Sequence, residues 1–455
     1  MGAAPQLSQG LSQRQLTMIA IGGVIGAGFF VGSGVVIRTA GPAAFLTYAL
    51  CGVLIILVMR MLGEMATAHP STGSFADYAR QALGGWAGFS VGWLYWYYWV
   101  IVVGFEAVAG AKVFNYWVNA PLWLVALILM LTMTATNLFS VSSFGEFEFW
   151  FAGIKVATIL VFLVLGTLFV SGLWPGRHPD LSNLAAHNGF LPHGVGGVFA
   201  AIVVVIFSMV GAEVATVAAG ETADPERAIQ RATNAVAARI AIFFVGSIFL
   251  LVTILPWNSV QIGASPYVEA LKHIGIHGAD HIMNAIVLTA VLSCLNSGLY
   301  TGSRMLFVLA ARGEAPAQLL KVSERGVPYI AIGCSSVVGF LCVIMAWVAP
   351  GSVFTFLLNS SGAIVLFVYL LIALSQIVLR VKTPPEKLRV KMWFFPVLSF
   401  LTLAAIAGVL IQMAFNSTTR GQFWLSLLSW AVVVALYFLS KQSRLRATEA
   451  VGDAP

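Results

Sequence analysis

Apolar runs of about 20 residues recur along the whole chain and are separated by short polar breaks. A run of this length is what an α-helix needs to cross the hydrocarbon core of a bilayer. The composition agrees, because 59% of the residues are hydrophobic and only 9% are charged, whereas roughly a quarter are charged in soluble domains. The sequence therefore predicts an all-α polytopic membrane protein with twelve transmembrane helices. The predicted spans are 16–37, 42–63, 87–111, 121–139, 148–171, 196–219, 237–256, 282–310, 328–349, 353–380, 394–415 and 422–440.

The basic residues predict how these spans are oriented. An even number of spans leaves both termini on the same side of the membrane. If that side is the cytoplasm, 18 of the 24 Lys and Arg residues fall in cytoplasmic segments, 5 fall outside and Lys155 lies within a span. Cytoplasmic loops carry such an excess of positive charge in membrane proteins generally. We therefore expect a multi-pass protein of the cell inner (cytoplasmic) membrane whose polar segments 1–15 and 441–455 are cytoplasmic.

The first span is unusually rich in glycine between residues 22 and 32. Each glycine weakens a helix interior by roughly 1 kcal/mol relative to alanine. The pairs Gly22/Gly26 and Gly28/Gly32 have the small-xxx-small spacing of close helix packing. The other interpretation is a broken helix, because backbone that leaves the helix at membrane depth must line a cavity or be buried in protein. In that case the amides of Gly26, Ala27 and Gly28 could bind the carboxylate of a substrate.

The sixth span carries a second candidate interruption in Phe207-Ser208-Met209-Val210-Gly211. This segment could be an ordinary helix that contains a glycine. If the helix breaks there, the released carbonyl groups could bind an ammonium group, and Phe207 or Met209 could close over the ligand. Two interrupted spans that lie five spans apart enter the membrane from opposite faces, which is the pattern of transporters built from inverted repeats.

Three charged residues, Glu106, Lys155 and Glu213, lie within predicted spans. Ionisable side chains are costly at this depth and are usually functional or paired. Lys155 could lose and regain a proton during a transport cycle, since a buried lysine readily changes its protonation state. Alternatively, it is a fixed charge that pairs with Glu213 or binds loosened carbonyl groups of the first span. Glu213 is a second candidate for proton coupling, whereas Glu106 is expected to be a structural acceptor.

The eighth span contains the polar segment Ser293-Cys294-Leu295-Asn296-Ser297. Polar groups at this depth usually form hydrogen bonds between helices. The alternative is a surface that faces the substrate, to which Cys294 would contribute.

Other function classes find less support in the sequence. The spacing Gly26-x-Gly28-x-x-x-Gly32 superficially resembles a dinucleotide-binding fingerprint, but no strand precedes it. The Cys and His residues show no metal-ligand spacing, and no nucleophile–base pair is recognisable. A sensor would carry a large soluble signalling domain. The sequence thus predicts a transporter rather than an enzyme, without a cofactor or metal.

A series of short segments along the chain has a recognisable order. It comprises 25–30, 63–66, 73–75, 145–150 with Lys155, Phe207-Ser208 with Gly211 and Glu213, Glu221 with Pro225, and 303–306. In this order, the segments resemble those of the amino acid permeases of the amino acid–polyamine–organocation (APC) superfamily, over residues 11–438. The segments 85–88, 92–96, 231–234 and 293–300 resemble those of the bacterial 4-aminobutyrate (GABA) permeases within that family.

This resemblance implies a LeuT-type fold with discontinuous helices 1 and 6. The transport core would be 16–380, with inverted repeats of about 16–171 and 196–380, and the helices of 394–440 would be peripheral. The implied activity is the import of an amino acid with protons, with 4-aminobutyrate or a similar zwitterion as the substrate. The alternatives are a permease for another amino acid (aromatic, proline or other neutral) and an amino acid exchanger.

The resemblance also implies which residues form the site. Lys155 would occupy the place that a sodium ion has in other relatives. Ala27 and Met209 depart from the family, since some relatives have a hydroxyl residue and many have an aromatic residue at these positions. The implied substrate-binding residues are Gly26, Ala27 and Gly28 of the first span and Phe207, Ser208, Met209 and Gly211 of the sixth.

Overall fold

The protein is helical throughout the part of the chain that the structure describes. The computed structural model describes residues 12, 14–15, 18, 25–69, 71, 74–214, 216, 236–260, 265–349 and 363–452, and only the backbone for Ala27 and 441–452. Every regular element within these ranges is a helix. Ten of these helical stretches are long and apolar enough to cross a membrane. The described part of the chain is therefore all-α, with the long apolar helices of a multi-pass membrane protein, as the apolar runs predict.

Sixteen α-helices follow one another along the described residues. A 3₁₀ turn at Gly41–Ala43 joins α2 to α3, and a π-helix at Ile240–Gly246 precedes α10. The α-helices are α1 (Ala27–Phe30), α2 (Gly32–Ala40), α3 (Ala44–Ala68), α4 (Ser74–Leu83), α5 (Gly85–Phe114), α6 (Leu122–Phe139), α7 (Val141–Val170), α8 (Gly194–Ala200), α9 (Ile202–Met209), α10 (Ser247–Ile254), α11 (Pro266–Ile274), α12 (Ala279–Ala311), α13 (Tyr329–Val348), α14 (Ile364–Lys382), α15 (Val397–Phe415) and α16 (Arg420–Gly452).

The helix α7 begins earlier than the predicted start at residue 148. Its first residue is Val141, and Ser140 caps it by accepting a hydrogen bond from the Ser143 amide at 2.9 Å. Serine is a preferred N-cap residue because its side-chain oxygen satisfies an amide of the first turn. Lys155 consequently lies at the middle of a 30-residue helix.

Several predicted segments lie partly or wholly outside the described residues. These are 16–17 and 19–24 of the first span, 215 and 217–219 of the sixth, 353–362 of the tenth, most of 1–15, 453–455 of the C-terminal segment, and Gly73, Glu221, Pro225 and 231–234 of the family segments.

Two short helices, α4 and α11, were not predicted because they lie between apolar spans. Two ion pairs connect α4 to the end of α12: Arg312 Nη2 lies 2.5 Å from Asp77 Oδ2, and Arg80 Nη2 lies 2.6 Å from Glu314 Oε2. Both arginines belong to the predicted cytoplasmic side. The short helix α4 is thus attached to the C-terminal end of the long helix α12, which is predicted to be cytoplasmic.

Among the described helices, the long helices α5 and α12 form the most extensive pair. A Cβ atom on Gly298 of α12 would lie only 2.8 Å from Val103 Cγ2 and 3.1 Å from Trp99 Cε3 of α5. Small residues at such positions let membrane helices approach closely. Trp99 ends an aromatic run of the third span, 93–99, in which Tyr95, Tyr98 and Trp99 are buried in the core.

Buried hydrogen bonds around Glu64 connect α3 to α14 and to the segment before α15. Glu64 accepts bonds from Gln376 Nε2 at 2.8 Å, from Arg380 Nη1 at 2.5 Å and from the Met392 amide at 2.6 Å. Ser399 of α15 donates to Gln376 Oε1 at 2.8 Å. A buried carboxylate requires such compensation, and these bonds join three helices near the predicted cytoplasmic face.

Candidate functional site

The first span contains non-helical backbone directly before α1. Ile25 and Gly26 are not helical, and α1 begins at Ala27. The first N–H groups of a helix have no partner within that helix. The start of α1 therefore presents peptide amides beside Gly26, as a broken helix would.

The sixth span breaks directly after α9. This helix ends at Met209, Val210 has extended backbone with ψ of 146°, and Gly211 has φ of 112°. Residues with a side chain rarely adopt such a φ, which explains the glycine at position 211. The last carbonyl groups of α9 are left without the partners that a continuing helix would supply.

The two interrupted segments touch at Gly28 and Ser208. A Cβ atom on Gly28 would lie 3.3 Å from Ser208 Cα and 3.5 Å from Phe207 Cδ1. The missing side chain lets the two backbones approach each other. Close packing and interruption, which were alternatives for the glycine run, therefore occur together.

A cavity of about 570 Å³ extends from the contact between Gly28 and Ser208. Gly28 lies at one end, and Thr39, Lys112 and Thr418 lie at the other, where Lys112 and Thr418 are exposed. Most of the wall between them consists of valine and alanine. Thr418 belongs to the loop between α15 and α16, the two helices that are predicted to be peripheral. This loop therefore also lines the cavity. The exposed end is the one that the charge distribution predicts to face outward.

Of the two residues that were predicted to cover a ligand, only Phe207 lines this cavity. Its ring centroid lies 5.6 Å from that of Phe105 and 6.3 Å from that of Tyr98. Met209 is buried in the hydrophobic core, with 1% of its surface exposed. Phe207 is therefore the side chain that could open or close the inner end of the cavity.

Two side chains lie directly against Gly26. A Cβ atom on Gly26 would be 3.0 Å from Glu106 Oε1 on α5 and 3.2 Å from Cys294 Sγ on α12. Both residues are buried. Cys294 thus lies at the predicted site, and Glu106 lies there too, although the sequence suggested only a structural role for it.

Lys155 binds the interrupted first span. Its Nζ donates hydrogen bonds to the carbonyl oxygen of Ile25 at 3.0 Å and to Ser293 Oγ at 2.8 Å. The Lys155 side chain is fully buried. Two partners were considered for Lys155 as a fixed charge. The structure shows the bond to a carbonyl group of the first span, and it does not show the pairing with Glu213. The middle of α7 thus meets the break in the first span.

Glu213 instead supports the break in the sixth span. The amide of Gly211 lies 3.3 Å from Oε1 and 3.2 Å from Oε2 of Glu213. Tyr95 donates its hydroxyl to Oε1 at 3.1 Å, and Tyr369 donates its hydroxyl to Oε2 at 3.1 Å. Charge-assisted hydrogen bonds of this kind are about twice as strong as neutral ones. The carboxylate therefore holds the non-helical backbone against α5 and α14.

This arrangement predicts that Glu213→Gln lowers the stability of the folded protein by about 2 kcal/mol, since one side-chain oxygen becomes a donor that faces other donors. The melting temperature of the purified protein in detergent measures the effect. The exposed Glu324→Gln variant is the matched control and should melt like the wild type. If Glu213→Gln melts normally but loses the pH dependence of its transport, Glu213 carries protons instead.

One buried carboxyl group next to Lys155, that of Glu148, was not predicted from the sequence. The Ser293 hydroxyl, which accepts a hydrogen bond from Lys155, donates one to Glu148 Oε1 at 2.5 Å. Glu148 and Lys155 are seven positions apart on α7, a spacing that puts them on one face of a helix. That spacing was a usable signal, but the predicted start of the span at residue 148 placed Glu148 at the membrane boundary.

The profile of the amino acid permease family matches residues 15–445. The chain belongs to the amino acid permease family. The permease is 51% identical to the gamma-aminobutyric acid permease of Bacillus subtilis over 96% of its own length and 95% of the relative's. It is also 46% identical to the gamma-aminobutyric acid permease of Escherichia coli, over 90% and 89%.

More distant members transport other substrates. The permease is 38% identical to an aromatic amino acid transport protein of Corynebacterium glutamicum, over 98% of both chains. The permease is thus an amino acid transporter.

In the part of the chain that the structure describes, no group of three His, Cys, Asp or Glu side chains could hold a metal ion.

Proposed function

We propose that the permease imports 4-aminobutyrate, or a zwitterion of similar length, together with protons. The observation that carries this proposal is the contact between two interrupted helices at Gly28 and Ser208, with a cavity that leads from Gly28 to the exposed residues Lys112 and Thr418. Ligand sites in such transporters lie at discontinuous helices. The identity to gamma-aminobutyric acid permeases supports the choice of substrate.

The polarity of the two breaks suits a zwitterion. The substrate carboxylate meets the peptide amides of Gly26, Ala27 and Gly28, and its ammonium group meets the carbonyl groups that end α9. Backbone amides at a helix start favour anions, and carbonyl groups at a helix end favour cations. Phe207 separates the bound substrate from the cavity until its ring moves.

The proposed architecture has twelve spans with both termini in the cytoplasm. The two repeats are 16–171 and 196–380, and 394–440 are peripheral helices whose connecting loop lines the outer cavity. Lys155 couples protonation to the first span through its bond to the Ile25 carbonyl, since a charged donor holds that carbonyl more strongly than a neutral one.

A competition panel in proteoliposomes tests the substrate. Uptake of labelled 4-aminobutyrate is measured against unlabelled 4-aminobutyrate, shorter and longer ω-amino acids, α-amino acids and aromatic amino acids. We expect 4-aminobutyrate to compete most strongly. Stronger competition by an aromatic or a neutral α-amino acid would assign the permease to that substrate instead.

An imposed pH gradient separates symport from exchange. Vesicles with an empty lumen accumulate substrate only if the transporter does not need a counter-substrate. We expect the permease to accumulate 4-aminobutyrate in empty vesicles when the outside is acidic. An obligate exchanger shows no uptake under these conditions and takes up substrate only when the vesicles are loaded with amino acid.

A further inference from the structure

Glu148 and Lys155 approach each other although they are far apart along α7. A separation of seven residues corresponds to a rise of about 10.5 Å along a helix. Both side chains nevertheless reach Ser293 Oγ of α12, at 2.8 Å from Lys155 Nζ and 2.5 Å from Glu148 Oε1. All three side chains are fully buried. An acid and a base in the membrane interior are thus joined through a single hydroxyl group.

The hydrogen bonds of this chain run in one direction. Lys155 Nζ donates to Ser293 Oγ, and the Ser293 hydroxyl donates to Glu148 Oε1. The hydroxyl can therefore accept a proton from the ammonium group while it passes its own proton to the carboxylate. The step converts an ammonium and a carboxylate into an amine and a carboxylic acid, leaves the serine unchanged, and needs no movement of heavy atoms.

The surroundings of Glu148 can accommodate the transferred proton. Its second oxygen, Oε2, makes no hydrogen bond of normal geometry within the described part of the chain, although the Ser297 and Asn296 side chains lie near the carboxyl group. A buried carboxylate with an unsatisfied oxygen is unfavourable, whereas a neutral carboxylic acid costs less to bury. The other titratable groups that act on Lys155 are Glu106 of α5 and Cys294 of α12.

We propose that Glu148 is the proton acceptor of Lys155, with the Ser293 hydroxyl as the relay between them. This proposal rests on the proton coupling proposed above and deepens it. Because Lys155 also donates to the Ile25 carbonyl, loss of its charge weakens the bond that holds the interrupted first span. Glu148 thereby controls when that segment is released.

Proteoliposomes that contain single-residue variants test the relay in two assays. The first is accumulation of labelled 4-aminobutyrate driven by a pH gradient, and the second is counterflow at equal pH on both sides. Glu148→Gln keeps the size of the side chain but accepts no proton. We expect the initial rate of gradient-driven accumulation to fall about 100-fold, the lower range for a positioned proton transfer, and counterflow to persist.

Ser293 provides a second test that does not depend on the stability of Glu148→Gln. Ser293→Ala removes the hydroxyl and should lose accumulation in the same way, whereas Ser293→Thr retains a hydroxyl and should restore it. Ser375→Ala is the matched control, because Ser375 is also fully buried but donates only to Leu371 of its own helix, α14.

Three results would overturn the relay. These are wild-type accumulation by Glu148→Gln, wild-type accumulation by Ser293→Ala, or a Ser293→Thr variant as defective as Ser293→Ala. If the wild type shows counterflow but no accumulation in the gradient assay, proton coupling itself is refuted, and the relay with it. The two failures are therefore distinguishable.

Discussion

Lys155→Ala should abolish the accumulation of substrate against its gradient. In proteoliposomes with an acidic exterior, the internal concentration of labelled 4-aminobutyrate is expected not to rise above the external concentration. Within the described part of the chain, Lys155 supplies the only side-chain hydrogen bond to the Ile25 carbonyl. Without this bond, the interrupted first span no longer responds to the protonation state of residue 155. Accumulation equal to that of the wild type would exclude Lys155 from coupling.

A second variant separates this effect from simple misfolding. Lys155→Ala leaves the Glu148 carboxyl group buried without a nearby cation, which disfavours its charged form and lowers the stability of the folded protein. The double variant Lys155→Ala/Glu148→Gln removes that uncompensated charge. We expect it to regain a melting temperature closer to that of the wild type and still to lack accumulation. Recovery of accumulation in the double variant would mean that Lys155 serves only to neutralise Glu148.

Gly28→Leu should weaken substrate binding. A Cβ atom at this position already lies 3.3 Å from the backbone of Ser208, and the remaining carbon atoms of leucine would extend between the two interrupted helices or into the cavity. Overpacking of this kind costs about 1–3 kcal/mol. We expect the affinity for 4-aminobutyrate, measured by equilibrium binding to the purified protein, to fall about tenfold or more, which corresponds to about 1.4 kcal/mol.

Gly333→Leu is the matched control for this substitution. Gly333 lies on α13, and a Cβ atom there would meet nothing within 4 Å. The same change of residue type in a helix should therefore leave the affinity near that of the wild type. Unchanged affinity in Gly28→Leu would remove the first span from the binding site.

The helices could be predicted well because each depends on local sequence. A span such as 121–139 is a continuous apolar run between polar residues, and α6 occupies Leu122–Phe139. Errors arose where a boundary depended on a cap, as at Ser140, or where a helix was too polar to resemble a span, as in α4. The break at Gly211 was also locally encoded, since its φ of 112° suits glycine.

The partners of the buried charges could not be predicted in the same way. Glu213 was a candidate partner for Lys155, but it binds the Gly211 amide together with Tyr95 and Tyr369. Helical spacing puts Glu148 on the face of α7 that carries Lys155, and the same face also carries Phe144 and Ile159. Nothing in that spacing distinguishes an ion partner from core packing.

Residue order was sufficient to recognise a membrane transporter, its glycine-rich interruptions and a buried lysine, because hydropathy, charge and backbone propensity are local properties of a segment. It was not sufficient to show that Lys155 meets Ile25, 130 positions away, and Ser293, 138 positions away. Those contacts follow from the way α7 packs against α12 and the first span. Packing depends on the shapes of many side chains at once, so it appears only in the folded protein.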